Sequence, residues 1–222
     1  MVTPGYRKAR DLPRSIPVFP LDGALLLPGG VLPLQIFEPR YLNMIDDAMA
    51  GDRIVGMIQT GGEGDRRRPS LAQVGCAGRI TSYSETGDGK YLIALTGLCR
   101  FRVAEEIAVT TPYRQVQADF ASFEADLLSD DDDREFDRAP FLNLLRRYLD
   151  NRGLGVEWEA VNAAPASALV NSLAVALPFT PQEKQALLEA ADIEGRRSVL
   201  TTLLEIDAAW RADDDDAPQP LH

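Results

Sequence analysis

Apolar residues alternate with polar ones along the first half of the chain and recur at helical spacing along the second. "IPVFPL" (16–21) and "VLPLQIF" (31–37) read as two short strands, and "LLLPGG" (25–30) between them carries a Pro-Gly-Gly turn signal. Pro33 has no N–H to give to a ladder, so the second strand is expected at a sheet edge or a bulge. Pro39 suits the first position of a helix. Behind it Tyr41, Met44, Ile45, Ala48 and Met49 fall on one helical face, and Gly51 is a natural stop. "RIVGMIQT" (53–60) has the continuous apolar character of a buried strand, and "GGEGDRRRPS" (61–70) reads as a flexible loop. Next, "VGCAGRITSYS" and "YLIALTGLCRFRV" flank "ETGDGK" (85–90), where Asp88-Gly89 suits a tight turn needing positive φ. "YRQVQADF" (113–120) alternates as a further strand.

Beyond about residue 122 the period changes. Phe136, Phe141, Leu144, Leu145, Tyr148 and Leu149 form one helical face, and Ala166, Leu169, Val170, Leu173 and Leu177 another. Thr180, Pro181 and Glu183 make an N-cap, an N1 proline and the closing residue of a capping box. Leu187, Leu188 and Ala191 supply that helix's face, and Val199, Leu200, Leu203, Ile206 and Trp210 the last one. Strands first and helices later predict an α+β fold rather than an alternating α/β one. The expected organisation is a flexible tail over 1–14, a β-rich subdomain over 15–122, an acidic linker over 123–135, a helical subdomain over 136–210 and a disordered acidic tail over 211–222.

The 222 residues suffice for a substantial core, and 45% hydrophobic with 26% charged residues is ordinary for a globular protein. The formal charge of −11 argues against nucleic acid and anionic membranes as partners, since both are gripped mainly through Lys and Arg. No apolar h-region follows the basic N-terminus. Cys76 and Cys99, the two cysteines, fit reduced thiols in a cytoplasmic protein. In an unbulged hairpin turning at 87–88 they would face each other, as would Ser84 and Tyr91; two small buried hydrophobes are expected rather than a redox pair or metal site.

Catalytic chemistry finds little to stand on. The nearest approach to a phosphate-binding loop, "SETGDGKY", has Ser84 for its first glycine, Tyr91 for the hydroxyl residue, and a hairpin tip for its setting. His222, the one histidine, is the last residue, which leaves no sound basis for a Ser-His-Asp triad or a histidine metal site. The three lysines are Lys8 in the tail, Lys90 at a turn and Lys184 in the first turn of a solvent-facing helix, none placed as a buried base. The runs Asp130–Asp133 and Asp213–Asp216 lack the spacing of a calcium loop and read as solvated linkers. No enzyme activity, cofactor or metal is expected.

In "IPVFPL", "PGGVLPLQIFEPRYLNMIDDAM" and "RIVGMIQ" the chain resembles the start of the Lon protease N-terminal, or substrate-binding, domain. "VGCAGRI", "GDGKYLIALTGLCRFRV" and "PYRQVQAD" resemble its central hairpin and following strand, and "LVNSLAVALPFTPQEKQALLEAADIEGRRSVLTTLLE" its C-terminal helices. The resemblance covers roughly residues 12 to 207. It implies a curled, mostly antiparallel β-subdomain related to PUA-type pseudobarrels, then a helical bundle, and a role in recognising substrate polypeptides without the ATPase and peptidase that follow in full-length Lon. On this basis the chain is expected to be a freestanding, non-catalytic module that binds unfolded or extended polypeptide segments or a protein partner, as an adaptor in protein quality control. The alternatives are a small-molecule sensor or enzyme on the same fold, or RNA binding by PUA-like analogy. The candidate polypeptide contacts are Leu25, Leu26, Leu27, Pro28, Val31, Glu38 and Arg40. For the leucines two placements stay open, in the core or on an exposed greasy loop. For Glu38 and Arg40 the choice is between a local ion pair at the helix start and contact with a peptide.

Overall fold

The computed structural model describes residues 5–65, 68–128 and 137–215. Its contacts divide the chain into two compact units: Met1–Asp130 with Val175–Glu189, and Asp131–Ala174 with Ala190–His222.

The first unit is built on eight strands: β1 (Ser15–Pro20), β2 (Val31–Ile36), β3 (Ile54–Ile58), β4 (Thr60–Asp65), β5 (Arg68–Leu71), β6 (Val74–Glu85), β7 (Tyr91–Ile107) and β8 (Arg114–Asp119). The main sheet runs in the order β2-β7-β6-β3-β1-β8, and β8 also pairs with β7, which closes a ring. Among the described residues only β1 and β3 pair in parallel, and the other pairs are antiparallel. One strand can serve both ends of the ring because β7 is long and carries extra residues. Its first half pairs with β2 and its second half with β8. Thr81 on β6, and Leu98 and Ala104 on β7, have no counterpart across the ladder. Such bulges sharpen twist and bend a strand, which is what curling a sheet requires.

The hairpin pairs one residue off the expected register from its tip onward, and the two bulges along it cancel. Glu85 lies opposite Tyr91 and Ser84 opposite Leu92; after Thr81 the register shifts, and after Leu98 it shifts back. Cys99 therefore faces Ala77, and Cys76 faces Arg100. Both cysteines are buried, and neither is in a disulfide. Burial, and then the nearby Asp126 carboxylate, push the Cys99 thiol far above its ordinary range.

The stretch expected as a loop at 61–70 pairs instead as the β4–β5 ribbon. Its ends are tied. Thr60 N–H donates to Asp22 Oδ1 at 2.8 Å, and Arg68 pairs with Glu106, which also holds Arg114. Residues 7–12, assigned to the flexible tail, are held as well. Asp11 accepts the N–H groups of Arg7 and Lys8, Ala9 N–H donates to Glu124 at 2.8 Å, and Leu12 is buried. A 3-10 helix, Ala121–Leu127, runs into the stretch expected as the acidic linker, and its Phe123 and Leu127 are buried.

Helix α1 (Pro39–Ala50) buries Tyr41, Met44, Ile45 and Ala48, and its Asp46 and Asp47 accept the hydroxyls of Tyr91 and Tyr113. Helix α5 (Pro181–Glu189) starts with the anticipated capping box, Thr180 N–H donating to Glu183 at 2.7 Å and Glu183 N–H to Thr180 Oγ1 at 3.3 Å. It packs against β6. Arg100 of β7, whose side chain is 4% exposed, joins these layers. Its guanidinium donates twice to Asp126, at 2.8 Å each, and once to the Leu188 carbonyl of α5 at 3.1 Å, while lying 4.6 Å from the Phe123 ring centroid. The Arg100 N–H also donates to Asp126 at 2.9 Å.

The second unit holds α2 (Arg138–Arg152), α3 (Trp158–Ala163), most of α4 (Ala166–Ala176) and α6 (Ile193–Asp215). Asp137 caps α2 by accepting from Ala139 N–H, and Gly153 ends it in the left-handed conformation. Phe141, Leu145, Tyr148 and Leu149 are buried on α2, and Leu200 and Leu204 on α6, while Phe136 lies outside the described residues. Arg152 pairs with Asp207, fastening α2 to α6. The backbone of α6 continues to Asp215, into the stretch expected as a disordered tail.

Removing one member of a buried ion pair strands the other charge. Arg100→Ala is therefore expected to lower stability by about 3–5 kcal/mol in chemical denaturation, with the apolar double variant Arg100→Met/Asp126→Leu losing markedly less. A second expectation concerns pH. Hydrogen bonding by Arg114 and then by Arg68 outweighs burial and holds Glu106 at about 2, against an ordinary 4.5. A depressed carboxyl stabilises the fold above its ordinary value and loses that contribution as pH falls toward the folded value. Between about pH 4.5 and pH 2 the wild type should shed stability that Glu106→Gln does not, as read from urea midpoints across that window.

Candidate functional site

The apolar opening of the chain divides into a buried part and an exposed one. Leu25, Leu26 and Leu27 are 3%, 3% and 0% exposed, so they are core and offer a ligand no side-chain surface. The segment lies against the sheet where Gly78 pairs with Gly97. Any Cβ on Gly97 would stand 2.1 Å from the Leu27 carbonyl oxygen, and one on Gly78 2.7 Å from a Leu26 methyl. Only glycine leaves room for the chain to cross there. Gly29 N–H donates to Gly97 O, and Gly97 N–H to Gly30 O, each at 2.9 Å, which delivers the chain into β2.

Polar contacts fix the preceding turn. Gly23 N–H donates to Gln59 Oε1 at 3.2 Å, and Gln59 Nε2 donates to the Pro181 carbonyl at 2.9 Å. Lys184 Nζ donates to the Gly23 carbonyl at 2.8 Å and to the Val175 carbonyl at 3.2 Å. Lys184 is thus half-buried rather than solvent-facing, and burial lowers its pKa. The sequence could not place it, because its partners are backbone carbonyls, the nearer-bonded one at Gly23 being remote in the chain.

What remains exposed is the outer strand and its neighbours. β2 ends the strand order, as Pro33 required. Side chains of paired residues share a sheet face. On one face β2 sets Val31, Pro33 and Gln35, β7 sets Thr96, Ala94 and Leu92 opposite them, and β6 adds Ser82 and Ser84. Val31 is 60% exposed and Leu92 46%. None of these side chains is ionisable. Arg79, opposite Thr96, is the first charge along β6, and its guanidinium meets the Tyr6 hydroxyl at 3.3 Å. The other face of this sheet region carries the buried Ile36, Ile93 and Leu95, with Tyr91 tied to α1.

Of the predicted contacts, then, Val31 lies on an open face and Pro28 is half-buried at its margin. Glu38 and Arg40 form the local ion pair at the start of α1, at 2.8 Å and with both side chains about half exposed, and Arg40 also stacks on Tyr41. Leu92 and the 63%-exposed Phe37 were missed. The available signal for Leu92 was its alternation on the hairpin, but only the pairing of β2 with β7 reveals what it sits beside. Among the described residues no group of three or more His, Cys, Asp or Glu side chains could hold a metal ion, and no helix is long and apolar enough to cross a membrane.

Residues 15–205 match the family described as the ATP-dependent protease La (LON) substrate-binding domain. The chain belongs to the Lon substrate-binding domain family. Among its relatives, Lon protease 2 of Myxococcus xanthus is 27% identical over 218 residues, which are 92% of this chain and 25% of that protein. Lon protease 2 of Thermus thermophilus is 28% identical over 89% of the chain and 25% of its own length. The chain thus spans about a quarter of these Lon proteases. The crystal structure of a Lon N-terminal domain protein from Xanthomonas campestris superposes with a TM-score of 0.58 at 25% identity, covering 86% of this chain and 97% of that one. The N-terminal domain of a Mycobacterium avium complex Lon protease shares the fold, with a TM-score of 0.60 at 21% identity over 86% of this chain and 98% of that one. The Lon-type architecture of a mostly antiparallel sheet with added helices is accordingly the fold of this chain, and the similarity lies in the substrate-binding part of Lon.

The crossing at Gly97 gives a direct check. Gly97→Ala forces the Leu27 backbone away from the sheet, an overpacking that costs roughly 1–3 kcal/mol. Hydrogen exchange should accelerate at the Gly29, Gly30 and Gly97 amides, while the amides of α2 and α6 keep their protection.

Proposed function

We propose that this Lon-type chain is a non-catalytic recognition module that binds extended polypeptide segments on the uncharged face of β2, β7 and β6. The observation that carries this is the exposed surface around Val31 and Leu92, uncharged from Leu92 and Ser84 to Ala94 and Ser82 and bordered by Arg79 beyond Thr96, on a chain of formal charge −11. A contiguous open patch without charges is costly to leave in water and favours contact with another surface. Membership of a substrate-binding family supports polypeptide as the ligand. Apolar side chains would pack on Val31, Pro33 and Leu92, and the Ser, Thr and Gln groups would meet the ligand's polar atoms. Val31 and Pro28 form its rim, and Glu38 and Arg40 lie beyond Phe37 as a polar border. The buried Leu25, Leu26 and Leu27 act indirectly, by fixing where β2 begins. Reduced thiols fit a cytoplasmic setting, and an adaptor role in protein quality control follows if the bound segments are those of unfolded proteins.

The test is an array of overlapping short peptides from an unrelated protein, probed with the full chain. Uncharged apolar and hydroxyl-rich peptides should bind, and Val31→Glu/Leu92→Glu should weaken that binding by about tenfold or more, because a charge must then be desolvated at the contact. Both sites are exposed, so the thermal midpoint should move by no more than about 2–4 °C. Equal capture of all peptides by both proteins would sink the proposal.

A further inference from the structure

Resting on that reading, we infer that β2 takes its ligand as an added strand, the peptide backbone pairing with Val31, Pro33 and Gln35, and that the preferred ligand is an extended segment uncharged at alternate positions.

The hydrogen-bond parity of β2 carries the first half. Gly97 N–H donates to Gly30 O at 2.9 Å, and the register continues without a break from Val31 opposite Thr96 to Ile36 opposite Tyr91. Along an antiparallel ladder, residues whose backbone groups point at the partner strand alternate with residues whose groups point away. Leu32, Leu34 and Ile36 therefore serve β7, and Val31, Pro33 and Gln35 turn their backbone groups outward. Pro33 falls in the outward set, where the missing N–H costs the fold nothing. Among the described residues no strand pairs the outer edge of β2. That edge offers acceptors at all three positions and donors at Val31 and Gln35 alone. The gap at Pro33 weakens unselective edge-to-edge pairing between copies of the chain.

The electrostatics carry the second half. A strand added beside β2 continues the sheet, so alternate side chains of the ligand lie next to Val31, Pro33 and Gln35 on the charge-free face. A charge there would be desolvated without a partner. An acidic segment is further opposed by the chain's own net charge of −11.

The test uses the full chain and an acetylated, amidated peptide of alternating Val and Thr, roughly nine residues long, enough to span β2 at about 3.3 Å per residue. Fluorescence anisotropy measures its affinity. Single N-methylation along the peptide should weaken binding by about tenfold or more at alternate positions and leave the intervening ones nearly unchanged, since a methyl group blocks only amides that face β2. Replacing Thr by Glu should weaken binding at least as much. Val31→Pro removes an outward donor without touching the β2–β7 ladder and should also weaken binding about tenfold, with Val31→Ala within about threefold of wild type. A flat N-methyl profile on a peptide that does bind would overturn strand addition and leave polypeptide recognition standing. No binding of the unmodified peptide would overturn both. A concentration-dependent dimer abolished by Val31→Pro would assign the edge to a second copy of the chain and overturn the inference.

Discussion

A buried cation held by two outer elements organises the first unit. Arg100 comes from the long strand that closes the ring, and its side chain reaches beyond the sheet: Asp126 and Phe123 come from the 3-10 helix, and the Leu188 carbonyl from α5. Burying a guanidinium costs several kcal/mol unless its donors are met with good geometry. That requirement ties the outer layers to one place on the sheet more strictly than apolar packing would, since greasy surfaces slide and bidentate hydrogen bonds do not. Burial works against the charge on Arg100, but the Asp126 carboxylate outweighs it and the group is held more firmly protonated than usual.

From this anchoring follows the position of the β2 edge. α5, fixed by Arg100 at one end, presents Lys184 and the Pro181 carbonyl at the other, and these hold the Gly23 turn directly and through Gln59. The turn leads into the crossing at Gly97, and the crossing sets the first residue of β2. The edge is thus positioned by a chain of specific contacts running from a core ion pair to an exposed strand. Beside that edge β2 and β7 set only uncharged side chains, Val31, Pro33, Gln35, Thr96, Ala94 and Leu92, although the molecule as a whole is strongly acidic.

How much of this was legible in the sequence varied with the range of the interaction. Strand, helix and turn signals are local, so β1, β2, α1, β3, the long hairpin and the Thr180 cap could be read directly, and Pro33 announced an edge. The hairpin pairs one residue off the expected register from its tip onward, which leaves no local signature and places Cys76 opposite Arg100 rather than Cys99. The β4–β5 ribbon was hidden because Gly61, Gly62 and Gly64 look like loop residues until Asp22 and Glu106 are known to hold its ends. Lys184 and Arg100 were opaque for the same reason, since their partners lie far off in sequence. Leu25, Leu26 and Leu27 illustrate the ambiguity of composition: apolar residues beside a Pro-Gly-Gly turn fit a core or a binding surface equally well, and only the Gly78–Gly97 gap decides for the core.

The membership of Val175–Glu189 in the first unit has a bearing on biosynthesis. On a ribosome, the strands of the described residues are all translated by residue 119, but the Leu188 carbonyl that accepts from Arg100 is made only after the intervening helices. The nascent sheet must wait, with a large cationic group lacking part of its coordination, while the intervening helices are translated. Completion of the earliest-made unit is therefore a late event, and a chain cut short in the helical region would carry every strand and still lack its final fastening.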